Sequence, residues 1–227
     1  MEVYPDLEYI FLFTHCQTCM PIQTLFENPI LFFLWIGAVG LALTIHEFSQ
    51  ALAGALQGDD TAEDHGRLTL NPLPHIDWLG FGLLVLVGFG WAKPTPYNPY
   101  NLKYKKFGGA LIALAGPISN IIAVSLLTLT LWALQATMGI DFDNLMVIFF
   151  IYLIEVNLLL AIFNVLPIPP LDGSKVLFSF IQDTHPQVVL FLQQYQLFLL
   201  LGVIFFGGSF LSAINSFFFQ LIQRVVF

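Results

Sequence analysis

Long apolar runs separated by short polar stretches organise this chain. A helix that crosses the hydrocarbon core of a bilayer needs about 20 mostly apolar residues. Runs of that kind cover about Pro29 to Leu56, about Phe107 to Leu134 and about Leu145 to Leu166, and each predicts a transmembrane helix. Leu79 to Gly90 is apolar, short for a span and rich in glycine. It predicts a re-entrant or extended segment, which survives at membrane depth only when buried in protein or lining a wet cavity. The Pro-rich stretch Leu166 to Pro170 breaks the third run before Leu171-Asp172-Gly173. A further apolar run covers Val188 to Phe206, and the tail after Gly208 mixes Phe and Leu with Ser212, Asn215, Gln220 and Arg224. That tail reads as a final span or as an amphipathic interfacial helix. The expected fold is all-α and polytopic, with about 4–6 transmembrane helices. Residues 1–28 are expected outside the cytoplasm, 29–181 as the membrane-embedded core, and 182–227 as one or more C-terminal membrane helices. No internal repeat or separate soluble domain is visible.

Composition supports lipid as the main solvent. The chain is 57% hydrophobic and 10% charged, with a mean hydropathy of +0.80. A soluble domain is roughly 45–50% apolar and about 25% charged, so too few charges exist here to coat a globule. The 24 Phe suit lipid-facing helices. A formal net charge of −8 argues against nucleic acid, whose phosphates need clustered Lys and Arg. His15-Cys16-Gln17-Thr18-Cys19 is half of a metal or redox motif and lacks the second pair of a structural zinc site. Two ordinary thiols are the favoured reading. The N-terminus carries Glu2, Asp6 and Glu8 and no basic region, unlike a signal peptide.

Charge also orients the chain. Arg67, Lys93, Lys103, Lys105, Lys106 and Lys175 fall on one side if the three spans alternate. The acidic N-terminus and the Asp141/Asp143 loop fall on the other. The positive-inside rule makes the basic side cytoplasmic. His46 lies toward that end of its helix, and Asp172 emerges at the same end of the third span.

Two polar clusters stand out in this apolar background: His46-Glu47-Phe48-Ser49-Gln50, and Asn164 through Gly173. The first is H-E-x-x-H with its last letter changed. On a helix, residues four apart share a face, so in the full motif two imidazoles meet one metal ion while the Glu acts as general base on bound water. Asp172 is the obvious supplier of a third ligand, and Asn164 could donate to an oxyanion. Each has a structural alternative. His46-Glu47 could close a helix–helix contact, Pro-Leu-Asp-Gly is a good turn, and Asn164 could cap a helix. A charge at the centre of a span costs roughly 2.5–3.5 kcal/mol on insertion scales, which favours function for His46 and Glu47.

Together the two clusters resemble the site-2 protease family of intramembrane zinc metalloproteases. The second motif of that family, N-x-x-P-x-x-x-L-D-G, matches at Asn164, Pro167, Leu171, Asp172 and Gly173. Gly66 to Pro72, His75-Ile76-Asp77, Gly90 to Pro94 and Ala115 to Asn120 look like its compact prokaryotic branch without a PDZ domain. The resemblance runs from about Trp35 to Lys175. It implies one zinc ion held by His46 and Asp172, with Gln50 at the remaining ligand position, Glu47 as base and Asn164 assisting the tetrahedral intermediate. It further implies a multi-pass protein of a prokaryotic cell membrane that cleaves a transmembrane helix of another protein, with the site toward the cytoplasm.

Gln50 departs from the family pattern. A neutral amide oxygen is a poorer zinc ligand than imidazole. It could ligate weakly, or His75 or His65 could substitute. For His75 a role behind the ligands or in gating is preferred, and His65 reads as a plain loop residue. Alternatively the chain is a pseudoprotease or a helix-binding membrane scaffold, or the residue was deliberately changed. A transporter with a proton or cation path through His46, Glu47 and Asp172 ranks lowest. Oligomeric state is not readable from the sequence.

Overall fold

The structure is a computed structural model describing residues 21–139 and 144–226. The Cys16/Cys19 pair, the acidic N-terminal residues and Asp141/Asp143 lie outside the described residues. The described elements are helices, in the order α1 (Pro21–Glu27), α2 (Pro29–Ala55), α3 (Thr61–Asp64), a 3-10 turn (Leu73–His75), α4 (Trp78–Val87), α5 (Gly108–Met138), α6 (Leu145–Val165), α7 (Asp172–Ile181), α8 (Pro186–Gln194) and α9 (Gln196–Val226). Among them α2, α5, α6 and α9 are long and apolar enough to cross a membrane. The chain is therefore an all-α polytopic membrane protein with four candidate spans. The first three agree with the expected runs to within a few residues. The tail resolves into the short α8 and a single 31-residue α9.

Local signals explain the ends. Asn28 accepts a hydrogen bond from the Leu31 N–H, and Pro29 opens α2, where its missing N–H is no loss. The segment expected to be re-entrant or extended is a ten-residue helix, α4. Asp77 caps it by accepting from the N–H groups of Leu79 and Gly80, and Gly88 ends it at φ +78°. Ten residues rise only about 15 Å, so α4 enters the layer without crossing it. Residues 91–98 then follow without regular structure.

The core lies between α2, α5 and α6, with α9 along one side. Trp35 and Val39 meet Val124, Ile151, Tyr152 and Phe219 there. Lipid is as apolar as leucine, so close packing and polar contacts hold such helices together. Ala38, Ala42 and Ala51 of α2 and Ala113 of α5 are fully buried and keep the helices near each other. Asn120 of α5 donates through Nδ2 to Asn157 Oδ1 on α6 (2.7 Å) and to the Ala42 carbonyl on α2 (3.3 Å). This one amide ties the three central helices, and it does so directly behind His46.

Candidate metal centre

His46, Glu47 and Gln50 lie in the second half of α2, and Asp172 begins α7 after the Pro-rich break. All four are buried. His46 Nε2 lies 3.0 Å from Asp172 Oδ2 and 3.0 Å from Gln50 Nε2, and Gln50 Nε2 donates to Asp172 Oδ2 at 2.7 Å. Three side chains, up to 126 positions apart in sequence, thus converge on one point. They line a cavity of about 330 Å³ together with Glu47 and Asn164. The two polar clusters singled out from the sequence thus face one chamber.

Hydrogen bonding sets which nitrogen of His46 is free. Asn157 Nδ2 donates to the Leu153 carbonyl, so Asn157 Oδ1 accepts from Asn120 Nδ2. Asn120 Oδ1 is then an acceptor, and His46 Nδ1 donates to it at 2.6 Å. The lone pair of the neutral ring is left on Nε2, facing Asp172. A metal-binding histidine needs that tautomer, with its other N–H anchored. Two electron-rich atoms, Nε2 and Oδ2, face each other at 3.0 Å, close to the ~3.3 Å that ligands at about 2.0–2.1 Å span around a tetrahedral ion. The donor set fits zinc at two positions. Gln50 reaches the third, but it presents N–H to both neighbours, and only its amide oxygen has a lone pair for a metal. Among the described residues no group of three His, Cys, Asp or Glu converges.

Two glycines make room. A Cβ on Gly116 of α5 would collide with the His46 ring, and a Cβ on Gly173 would collide with the carbonyls of Val165 and Leu166. The first lets the imidazole lie flat on α5. The second lets α7 start tightly under the end of α6, which aims Asp172 back into the bundle.

Surrounding charge favours an ionised Asp172. Burial pushes its carboxyl up, but the Lys175 ammonium beside it holds it below the usual range. Lys175 Nζ donates to Asp172 Oδ1 at 2.9 Å. For Lys175, burial pulls the ammonium down and the Asp172 carboxylate more than offsets it.

Glu47 is held from the other side. Its Oε2 accepts from the Thr95 N–H (3.0 Å) and hydroxyl (2.7 Å). The segment carrying Thr95 is pinned by Asp59, which accepts from the N–H of Asn98, Nδ2 of Asn101 and the Thr61 hydroxyl. Burial would push the Asp59 carboxyl up, but these bonds hold it below its ordinary 3.8.

Some expectations need correction. His75 is buried with Nε2 on the Thr69 carbonyl, and His65 is exposed with Nδ1 on the Thr61 carbonyl. Neither lines the chamber, so neither substitutes for Gln50 and His75 does not back the ligands. Asn164 lines the chamber, yet its amide N–H donates to Leu160 four residues back. Thr95 and Asn157 were missed. Asn157 had a signal, as an amide inside an apolar span, whereas a threonine in a loop carries none.

The polytopic helical bundle and its buried His–Glu–Asp chamber define a membrane protein with a candidate metal centre. In comparisons with known proteins, residues 132–208 match the model of peptidase family M50. It is similar to YwhC of Bacillus subtilis (strain 168), named as a zinc metalloprotease, at 40% identity over 141 residues, covering 60% of this chain and 64% of that protein. Rip2 of Mycolicibacterium smegmatis, named likewise, is 33% identical over 152 residues, covering 64% of this chain and 56% of that protein. MJ0611 of Methanocaldococcus jannaschii, also so named, is 32% identical over 99 residues, covering 44% and 49%. The chain thus spans between about half and two thirds of the relatives it matches. No solved structure matches it.

Proposed function

We propose that this protein is an intramembrane zinc-dependent endopeptidase that cuts transmembrane segments of other membrane proteins. The observation that carries the reading is the meeting of His46 Nε2, Asp172 Oδ2 and Gln50 beside Glu47 in one buried chamber. His46 and Asp172 would hold one zinc ion, with the Gln50 amide oxygen or water at the remaining protein position. Zinc, when bound, would supply Lewis-acid chemistry and lower the pKa of its water to about 7.

The chain's own residues do the rest. Glu47 takes the proton of the attacking water and returns it to the leaving amine. Thr95 holds one carboxylate oxygen, which leaves the other for that transfer. Asn164, turned from Leu160, donates to the oxyanion of the peptide under attack. Asn120 keeps the His46 ring in its ligating tautomer. The apolar walls, including Leu43, Phe163 and Leu200, exclude bulk water and suit an apolar substrate segment.

Orientation follows from charge. With alternating spans, six of the seven Lys and Arg lie at the chamber's end of the bundle and only Arg224 at the far end. The chamber then opens toward the cytoplasm of a prokaryotic cell membrane. The test is cleavage of a reconstituted transmembrane segment. Glu47→Gln should abolish it while zinc is retained, and unchanged cleavage in that variant would sink the mechanism.

One observation favours a second reading, a helix-binding scaffold without catalysis. The Gln50 N–H groups already meet both Nε2 and Oδ2. On that reading the chain binds transmembrane segments without cutting them, and Gln50→His creates zinc binding and cleavage that the natural chain lacks.

A further inference from the structure

A second cavity, of about 420 Å³, lies beside the catalytic chamber, between the start of α5, α7 and α8. Lys105, Lys106 and Lys175 line it, and no Asp or Glu does. Lys105 is met by a neutral group, the Tyr100 carbonyl at 2.5 Å. Lys106 shares an exposed pair with Asp183, which stands outside the lining. The Tyr97 hydroxyl and the side-chain amides of Gln182, Gln193 and Gln196 add neutral donors. Gly109 and Ala110 bring the first turn of a 31-residue helix to the same wall, and a helix start carries partial positive charge.

The surroundings of this cavity are apolar and exposed. Lys106 Nζ lies 5.9 Å from the Phe107 ring centre, and Phe107 packs on Phe180 at 5.5 Å. Both rings are open to the outside. On the other flank α8 buries none of its residues and exposes Val188, Leu190 and Phe191. Such an amphipathic helix lies in a bilayer interface. An ammonium group beside exposed aromatic rings is the arrangement of a side chain reaching up to headgroup level.

We propose that this cavity binds a phosphate group, supplied by the headgroup of an anionic lipid in the basic-side leaflet. Basic pockets between helices at that depth suit lipid phosphates. The exposed Phe107, Phe180 and Phe191 give the acyl chains a surface, which a free phosphate would not use. Lys175 and Pro170 line both this cavity and the catalytic chamber, so the lipid sits one side chain from Asp172. The proposal stands independently of the protease reading.

The test measures retention of phosphatidylglycerol against phosphatidylcholine by the detergent-purified chain, by native mass spectrometry, with inorganic phosphate as competitor. Selective retention of phosphatidylglycerol is expected, and the double variant Lys105→Gln/Lys106→Gln should weaken it roughly thirtyfold. Lys103→Gln removes a neighbouring charge that does not line the cavity and should leave retention unchanged. Displacement by millimolar phosphate would keep the site and make its source a soluble phosphate. Equal retention of both lipids, or a loss in Lys103→Gln as large as in the double variant, overturns the proposal. Restored retention in Lys105→Arg/Lys106→Arg separates lost charge from lost folding.

Discussion

Replacing Thr95 with valine tests how the proposed base is positioned. Valine keeps the branched shape and removes only the hydroxyl that donates to Glu47 Oε2 at 2.7 Å. Both residues are buried, so water cannot readily substitute. A hydrogen bond to a charged group contributes about 1.5–3 kcal/mol. At about 1.4 kcal/mol per factor of ten, its complete loss from the transition state lowers kcat by about 10- to 150-fold. The Thr95 N–H bond at 3.0 Å survives, so the expected loss is near the lower figure, about tenfold. The assay follows cleavage of a transmembrane segment in proteoliposomes, with zinc content measured on the same preparation. Expected are a reduced kcat, an unchanged KM, unchanged zinc and recovery in Thr95→Ser. A kcat within about twofold of the natural chain would refute the positioning argument. A parallel loss of zinc would make Thr95 a packing residue instead.

Gly116→Ala should push the His46 ring off α5 and lower metal binding while the helices still form, as read by zinc content and circular dichroism. Gly173→Ala meets backbone carbonyls that cannot move aside, so a loss of about 1–3 kcal/mol in stability is expected, seen as a lower unfolding midpoint. Asp59 has a depressed folded-state pKa, so its contribution is present above its unfolded value near 4 and is lost as pH falls through the lower folded value. Hydrogen exchange of the 95–101 amides should therefore speed up in acid for the natural chain, whereas in Asp59→Asn it should be fast and pH-insensitive beyond the intrinsic rate.

The three central spans were legible because lipid imposes a coarse rule, about 20 apolar residues with few charges, and Pro29 and the Pro167–Pro170 stretch punctuate it. His46, Glu47 and Asp172 were legible for a related reason: an ionisable group is conspicuous where no water can solvate it. The helicity of α4 was missed because a glycine-rich run reads as irregular, while the Asp77 cap lies before that run and Gly88 within it acts as a helix stop. The continuity of α9 was hidden by the polar residues Ser212 and Asn215, of which Asn215 turns out to be buried. Thr95 was invisible because its role depends on a loop returning 48 positions later to α2, and nothing local in Lys93-Pro94-Thr95 encodes that return.

The central claim is that His46 and Asp172 form a metal site despite Gln50. Zinc content of the purified chain, measured beside His46→Ala, Asp172→Ala and Gln50→His, tests it most directly. The account predicts about one zinc per chain, lost in both alanine variants and held more tightly in Gln50→His. Zinc that persists in Asp172→Ala, or that binds only in Gln50→His, would contradict it.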